Sequence, residues 1–221
     1  MKLFFEAIIK FLLGIILVGL LIFLPAGTLK YLNGWIFMGI LFIPMFLAGI
    51  IMMIKNPSLL KSRLDSKEKE KTQSIVIKLS GLMFIIGFVL AGLDFRFKWF
   101  EIPQLVSYIA SVTLLLGYIM WGVVLKQNTY VARTIKVEEN QKVVDTGLYG
   151  VVRHPMYTAS IILFLSIPLV LGSLIALGVF IFYPILIIAR ILNEEKVLEN
   201  ELQGYKEYKK KVKYRLIPFI W

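Results

Sequence analysis

Residues 11–24 read Phe-Leu-Leu-Gly-Ile-Ile-Leu-Val-Gly-Leu-Leu-Ile-Phe-Leu, and residues 36–54 form a second run without any charged side chain. Hydrophobic residues make up 58% of the 221-residue chain, which is more than a soluble domain of this size can bury. A bilayer accepts such runs as helices, because a helix pairs its backbone N–H and C=O groups internally. The chain is therefore predicted to be an all-α integral membrane protein.

About six transmembrane helices are predicted along the chain. Their spans are 4–24, 35–54, 75–93, 103–125, 156–171 and 174–190. The first four can cross a hydrocarbon core of about 30 Å, and the first is too long for a signal-peptide core, so we interpret it as a retained helix. The last two are short and separated by Gly172 and Ser173, which predicts a helical hairpin with kinks at Pro168 and Pro184. An amphipathic cytosolic helix is predicted over 191–212.

Lysine and arginine are distributed unevenly between these spans. Nineteen of them lie in three segments, namely 55–74, 126–155 and 190–221, whereas the connections on the opposite side hold three. Basic residues accumulate in cytosolic loops, so both termini and the active site are predicted to be cytosolic. The net charge of +11 is then explained by the anionic inner leaflet, and no nucleic-acid partner is expected. Segment 61–74 is interpreted as a solvated charged connection without a chemical role.

The chain contains no cysteine and a single histidine. Disulfides, thiolate nucleophiles, iron–sulfur clusters and zinc–thiolate sites are therefore excluded, and so is a site built from several histidines. No metal is expected.

The most informative polar segment ends with Asp-Thr-Gly-Leu-Tyr-Gly-Val-Val-Arg-His-Pro-Met-Tyr over residues 145–157. His154 stands beside Arg153 and before Pro155, a residue that suits the first turn of a helix. Free backbone N–H groups at a helix start suit a polar or anionic ligand. On spacing alone, a turn followed by an ordinary membrane-boundary arginine is the simpler interpretation.

Two further polar clusters follow in the sequence. Arg190 and Glu194 are four residues apart, so they share a helical face at the end of an apolar run, where a charge is a functional candidate. The simpler alternative is a boundary arginine followed by a solvated acidic turn. The third cluster contains Tyr205 and Tyr208 and ends at Pro218. Interfacial tyrosines on an amphipathic helix would explain it equally well.

Taken together, the three clusters resemble the isoprenylcysteine carboxyl methyltransferase family, part of a wider group with membrane phospholipid methyltransferases. The resemblance is carried, in order, by Gly147-Leu148-Tyr149, Arg153-His154-Pro155-Met156-Tyr157, Glu194-Glu195-x-x-Leu198, Gly204-Tyr205-x-x-Tyr208 and Arg215-Leu216-Ile217-Pro218. It covers roughly residues 126–221, which are predicted to form the cofactor-binding and catalytic region. Residues 1–125 are predicted to form four transmembrane helices without diagnostic motifs.

This resemblance implies an enzyme that uses S-adenosyl-L-methionine without a Rossmann domain, and the chain has no G-x-G-x-x-G motif. By similarity, Arg190 would meet the carboxylate of the methyl acceptor. The catalytic candidates implied are Arg190, Glu194, Glu195 and Arg215. The cofactor pocket implied is formed by Gln141, Lys142, Val143, Val144, Tyr149, His154, Pro155, Met156, Tyr157 and Glu194.

The acceptor implied is a lipid-like or prenylated small molecule or peptide that carries a carboxylate. A carboxylate with a pKa of about 4 is already ionised at pH 7 and needs no general base. An amine or thiol acceptor would first lose a proton, and Glu194 or Glu195 would then be the candidate base. Three alternatives stay open: a phospholipid N- or thiol S-methyltransferase of the same fold, an NADPH-dependent sterol-type reductase, and a non-enzymatic lipid-binding or transport protein.

Overall fold

The computed structural model describes residues 2–64, 71–130, 137 and 140–221, and these residues form helices and connections without a strand. The helices are α1 (Lys2–Ala26), α2 (Leu32–Lys55), α3 (Pro57–Leu64), α4 (Lys71–Phe97), α5 (Gln104–Gln127), α6 (Pro155–Val170), α7 (Leu174–Phe180), α8 (Tyr183–Glu201) and α9 (Tyr205–Lys211). A 3₁₀ turn covers Gly147–Gly150 in the connection that precedes α6. The predicted all-α membrane fold is confirmed.

Five stretches of the described chain are long and apolar enough to cross a membrane. They are Leu3–Ala26, Leu32–Lys55, Thr72–Phe97, Gln104–Gln127 and Leu174–Glu201, and the shorter apolar helix Pro155–Val170 lies beside them. Large apolar side chains remain exposed on their outer surfaces, including Ile54, Leu105 and Ile119. An apolar surface of this extent is expected of helices that face lipid. The protein is therefore integral to the membrane.

The last predicted span, 174–190, differs from the structure, whereas the span 156–171 agrees with α6 to within one residue. α7 ends at Phe180, and the chain turns at residues 181–182 before α8 begins. Pro184 lies in the first turn of α8, where its missing N–H removes no helical hydrogen bond, so the helix breaks before the proline instead of kinking at it.

The predicted amphipathic helix over 191–212 is also divided differently. α8 continues without interruption to Glu201, so its polar end prolongs the membrane-spanning helix. The chain then turns at Gly204, which has a φ of +85° in the left-handed region that favours glycine, and α9 follows as a separate short helix.

Close helix packing positions the end of the bundle that carries the site. α6 approaches α5 at Gly117, where an added Cβ would come within 2.9 Å of the Leu163 side chain. α4 approaches α7 at Gly87, whose missing side chain makes room for the ring of Phe180. At the opposite end, the Ser173 hydroxyl donates to the Asp94 carboxylate at 2.5 Å and fixes the turn between α6 and α7. α6 and α8 are thus held beside α4 and α5.

The three basic segments of the sequence gather at one end of this bundle. Arg63 from the first, Lys142 from the second and Arg190 from the third all line one cavity. This arrangement agrees with the charge distribution that predicted their common side. The assignment of that side to the cytosol stays a prediction.

Candidate active site

A cavity of about 520 Å³ lies where α3, α4, α5, α6 and α8 meet the connection before α6 and the helix α9. Its volume falls within the range of about 300–1,000 Å³ that is usual for small-molecule sites. One end is polar and contains Arg63, Arg190 and Glu194, whereas the other extends between the helices to Phe84 and Phe164. The cavity can therefore accept a polar molecule and an apolar one side by side.

The cavity brings together most of the residues that the sequence motifs suggested. Its lining includes Gln141, Lys142, Val143, Val144, Tyr149, His154, Met156, Tyr157, Arg190 and Glu194. Pro155 is fully buried and is not among the described lining residues; it opens α6 at its first turn. The binding roles of these residues stay predictions, but their convergence from distant parts of the chain is a property of the fold.

Tyr157 links the two charged residues on α8. The Arg190 Nε–H donates to the Tyr157 hydroxyl at 2.7 Å, and that hydroxyl donates in turn to the Glu194 carboxylate. The Arg190 guanidinium also lies 5.7 Å from the centre of the Tyr157 ring. Arg190 and Glu194 thus present opposite charges to the cavity from one helical face, as predicted. The Tyr157 hydroxyl bonds to both side chains and fixes their relative positions.

His154 lines the cavity and is buried, with 5% of its surface exposed. Its backbone N–H donates to the Arg215 carbonyl at 2.9 Å, and its Nε2 lies 3.3 Å from the Glu195 carboxylate. The N–H groups of Tyr157 and Thr158 donate to the His154 carbonyl at 3.0 and 3.2 Å. These two N–H groups at the start of α6 are therefore already engaged, and they do not supply the free anion site that the sequence suggested.

Glu195 lies in a cluster of cations behind the cavity wall. Its carboxylate pairs with the Nε atoms of Arg153 at 2.7 Å and Arg215 at 3.0 Å, and Lys209 Nζ lies at 3.7 Å. Neither Glu195 nor Arg215 is among the described residues that line the cavity. The structure therefore places both in an ion-pair cluster beside the cavity, and the catalytic role that the motif implied stays a prediction.

The same cluster fastens the final segment of the chain to the start of α6. Besides Glu195, Arg153 Nη1 donates to the carbonyls of Val212 and Lys213 at 2.8 and 3.0 Å. The Arg153 backbone N–H donates to the Tyr214 carbonyl at 2.9 Å. An arginine with its donors satisfied in this way is well suited to hold three chain segments in one geometry.

The turn that carries Tyr149 is fixed to the end of α5. Gly147 has a φ of +59°, and an added Cβ would overlap the side-chain amide of Gln127. That same amide oxygen accepts the N–H of Leu148 at 3.0 Å, so the contact requires glycine for both space and conformation. Burial raises the pKa of the Tyr149 phenol above its ordinary value, so it stays neutral at pH 7.

Tyr205 on α9 carries a polar group that the protein leaves unsatisfied. The side chain is 4% exposed and lines the cavity, and its hydroxyl has no hydrogen-bond partner among the described residues. Burial raises its pKa, so the hydroxyl keeps its proton and can donate. A buried hydroxyl without a partner is costly, so the Tyr205 hydroxyl is a candidate to bond with a molecule in the cavity.

Several residues that line the cavity were not predicted from the sequence. Arg63 lies in a segment that we interpreted as solvated, yet its guanidinium stacks over the Trp121 ring at 4.7 Å and both side chains line the cavity. The sequence carried one signal, the apolar pair Leu59-Leu60 before Arg63, and the structure buries both leucines on α3, a short packed helix. The other missed residues include Phe84, Asn128, Tyr130, Phe164 and Tyr183. Among the described residues, no group of His, Asp and Glu is placed to hold a metal ion.

Comparison with known proteins identifies the segment that builds most of this site. Residues 106–204 match the phospholipid methyltransferase family. This family includes the isoprenylcysteine carboxyl methyltransferases, and the resemblance to the wider group is confirmed. The match runs from α5 to the turn before α9 and supports a membrane methyltransferase.

A second similarity is to a protein named for a different reaction. The chain is 30% identical over 91 residues to a Delta(14)-sterol reductase from Mus musculus. The similar region is 40% of this chain and 22% of the mouse protein. Similarity to a phospholipid methyltransferase segment and to part of a sterol reductase thus occurs in the same chain.

Proposed function

We propose that the protein is an S-adenosyl-L-methionine-dependent methyltransferase that methylates a carboxylate on a lipid-like or isoprenoid acceptor. The observation that carries this proposal is the Arg190–Tyr157–Glu194 series of hydrogen bonds at the junction between the polar and apolar parts of one cavity. Such a junction suits a reaction between a water-soluble molecule and a lipid. Residues 126–221 are proposed to form the cofactor-binding and catalytic region.

The residues of the polar end fit S-adenosyl-L-methionine by their chemistry. Glu194 offers a carboxylate to a cationic group, and the rings of Tyr149 and Tyr157 offer faces on which a cation is stabilised. Lys142 can pair with a carboxylate, and the unsatisfied Tyr205 hydroxyl can donate to an oxygen or nitrogen of the ligand. When bound, this cofactor supplies an electrophilic methyl group on a sulfonium.

The protein's own residues then have to orient the acceptor and exclude water. Arg190 is held by Tyr157 at the cavity wall, where a guanidinium can bind an incoming carboxylate through paired hydrogen bonds. Fixing the carboxylate in near-attack geometry removes much of the entropy barrier of a two-molecule reaction. An ionised carboxylate needs no proton transfer, so Glu194 is free to act as a charge partner instead of a base.

The experiment that tests the proposal uses the purified protein in lipid nanodiscs with methyl-labelled S-adenosyl-L-methionine and a lipid extract of the host. We expect label in a lipid product, released as methanol by mild alkali because carboxyl methyl esters are base-labile. Label that resists alkali would contradict the carboxylate acceptor and favour N- or S-methylation. Absence of both labelled product and cofactor binding would overturn the methyltransferase proposal.

The similarity to a sterol reductase segment supports a second candidate, an NADPH-dependent sterol-type reductase. The two candidates differ in the cofactor that the polar end would hold. Binding of labelled NADPH without binding of S-adenosyl-L-methionine would decide for the reductase. Glu194 offers a counter-charge to the sulfonium of S-adenosyl-L-methionine, a positive charge that NADPH lacks, and this favours the methyltransferase.

Replacing Tyr205 by phenylalanine is expected to weaken S-adenosyl-L-methionine binding about tenfold, which corresponds to one hydrogen bond in a buried site. The hydroxyl lacks a hydrogen-bond partner among the described residues, so its removal leaves the unliganded protein at least as stable. Calorimetric titration measures the affinity and thermal unfolding measures the stability. Tyr108→Phe, on the exposed surface of α5, is the matched control. Unchanged affinity in Tyr205→Phe would remove this hydroxyl from the binding site.

A further inference from the structure

The apolar part of the cavity ends at three aromatic side chains from three different helices. Phe84 of α4 and Phe164 of α6 meet edge to face with ring centres 4.8 Å apart, and Phe164 meets Tyr183 of α8 at 4.6 Å. All three line the cavity. Behind them, Phe180 is fully buried and contacts Phe84 at 5.3 Å. We call Phe84, Phe164 and Tyr183 the aromatic floor.

The aromatic floor lies about two helical turns from Arg190. Tyr183 and Arg190 are both on α8, seven residues apart, and are separated by about 10 Å of helix at ~1.5 Å per residue. The Tyr183 hydroxyl donates to Ser160 at 3.1 Å, so its polar atom is bonded to the protein and its ring faces are apolar contacts. An apolar chain whose head lies at Arg190 would therefore extend along α8 until it reaches these rings.

Gly81 lies one turn before Phe84 on α4 and lines the same cavity. A Cβ added there would meet no described atom within 4 Å. The helix thus has open space beside Gly81 where a larger residue would protrude into the cavity without displacing a neighbour. The absence of a side chain at Gly81 leaves the apolar part of the cavity wide, and the aromatic floor sets its depth.

We propose that Gly81, Phe84 and Phe164 determine which lengths of apolar chain the protein accepts. This inference rests on the proposed function, because it takes the head group of the acceptor to lie at Arg190. Each methylene that fits is expected to improve binding about two- to fourfold, until the chain meets the aromatic floor. Beyond that length, the chain has to bend or displace an aromatic ring from a close-packed core, and binding decreases.

The test uses an equimolar series of saturated straight-chain fatty acids and measures which lengths the full-length protein retains, by native mass spectrometry. Phe84→Ala is expected to shift the preferred length upward and to raise retention of chains beyond the wild-type optimum about tenfold. Gly81→Leu is expected to shift it downward. If Phe84→Ala fails to fold, Phe164→Ala and Phe84→Leu test the same shift.

Matched controls separate the cavity from general effects. Gly49 on α2 also has open space around it and is not among the described lining residues, so Gly49→Leu should leave the preferred length unchanged. Phe100 is 58% exposed, so Phe100→Ala controls for the loss of a phenylalanine. An identical preferred length in wild type, Phe84→Ala and Gly81→Leu would overturn the inference.

The same fatty acids are then supplied with methyl-labelled S-adenosyl-L-methionine. Length-dependent retention without methyl esters would contradict the proposed carboxylate methylation while leaving the role of the aromatic floor intact. Methyl esters whose yield is independent of chain length in every variant would support the proposed reaction and overturn the length selection.

Discussion

Arg190→Ala is expected to lower the rate of methyl transfer by about 10²–10³-fold, the usual effect of removing one positioned donor from an active site. Arg190 is held at the cavity wall by its 2.7 Å hydrogen bond to Tyr157, so the guanidinium is fixed before any acceptor arrives. Affinity for S-adenosyl-L-methionine should change little, because Glu194 and the tyrosines remain. Single-turnover rates with saturating labelled cofactor, together with calorimetric titration, separate the two quantities.

Arg190→Lys refines the same prediction. It keeps the charge but loses the planar pair of donors, so an intermediate rate is expected if a carboxylate is bound through two hydrogen bonds. Arg96 lies in the last turn of α4, at the end of that helix away from the cavity. Arg96→Ala is therefore the control for removing an arginine from a membrane boundary. Wild-type turnover in Arg190→Ala would show that the acceptor is held elsewhere.

Glu194 and Glu195 are adjacent in sequence, but mutation of Glu195 is expected to lower stability and mutation of Glu194 to weaken cofactor binding. Glu195→Ala should destabilise the protein by about 3–5 kcal/mol, because it leaves buried cationic groups without their counter-charge. Those groups are Arg153, with 4% of its side chain exposed, and Arg215 beside it. Glu194→Gln should leave the fold stable and weaken cofactor binding, since Glu194 lines the cavity.

Thermal unfolding in detergent, monitored by tryptophan fluorescence, measures the first effect, and calorimetric titration measures the second. The two variants serve as controls for each other because they alter neighbouring carboxylates on one helix. Equal stability of Glu195→Ala and wild type would refute the positioning role of the cation cluster. A Glu194→Gln protein that unfolds as readily as Glu195→Ala would place Glu194 in the structural network instead.

Much of the fold was predictable because it follows from long apolar runs. A run of about 20 apolar residues has few alternatives to crossing the membrane. The first four predicted spans therefore agree with α1, α2, α4 and α5 to within a few residues. The ends of α7 and α8 were harder, since Pro184 could break either helix and the polar end of α8 looked like a separate amphipathic element. Packing against the neighbouring helices, which no local pattern encodes, decides where these helices end.

The candidate site was predictable only where sequence motifs carried it. Residues 141–144 and 153–157 and the pair Arg190–Glu194 were recognised from their order and spacing, and all of them but Pro155 line the cavity. Phe84 and Arg63 were not recognised, because their role depends on which helices lie side by side. Nothing in the spacing of α3 and α4 indicates that they line the same cavity as Arg190, which lies more than 100 positions later.

The two adjacent glutamates illustrate the same limit at the scale of one helical turn. A motif predicts that both matter, but it does not distinguish a side chain that faces the cavity from one that faces a salt-bridge cluster. The difference arises because consecutive residues on a helix point about 100° apart, and only the packing of α9 and the last segment determines what each one meets.

The attachment of residues 212–216 to the start of α6 has a consequence for biogenesis. Arg153 and His154 bond to the carbonyls of Tyr214 and Arg215, which leave the ribosome some sixty residues after them. A nascent chain can insert its earlier helices while this pair still lacks its partners. The cavity wall that Arg153 and His154 form is therefore completed only after these carbonyls emerge.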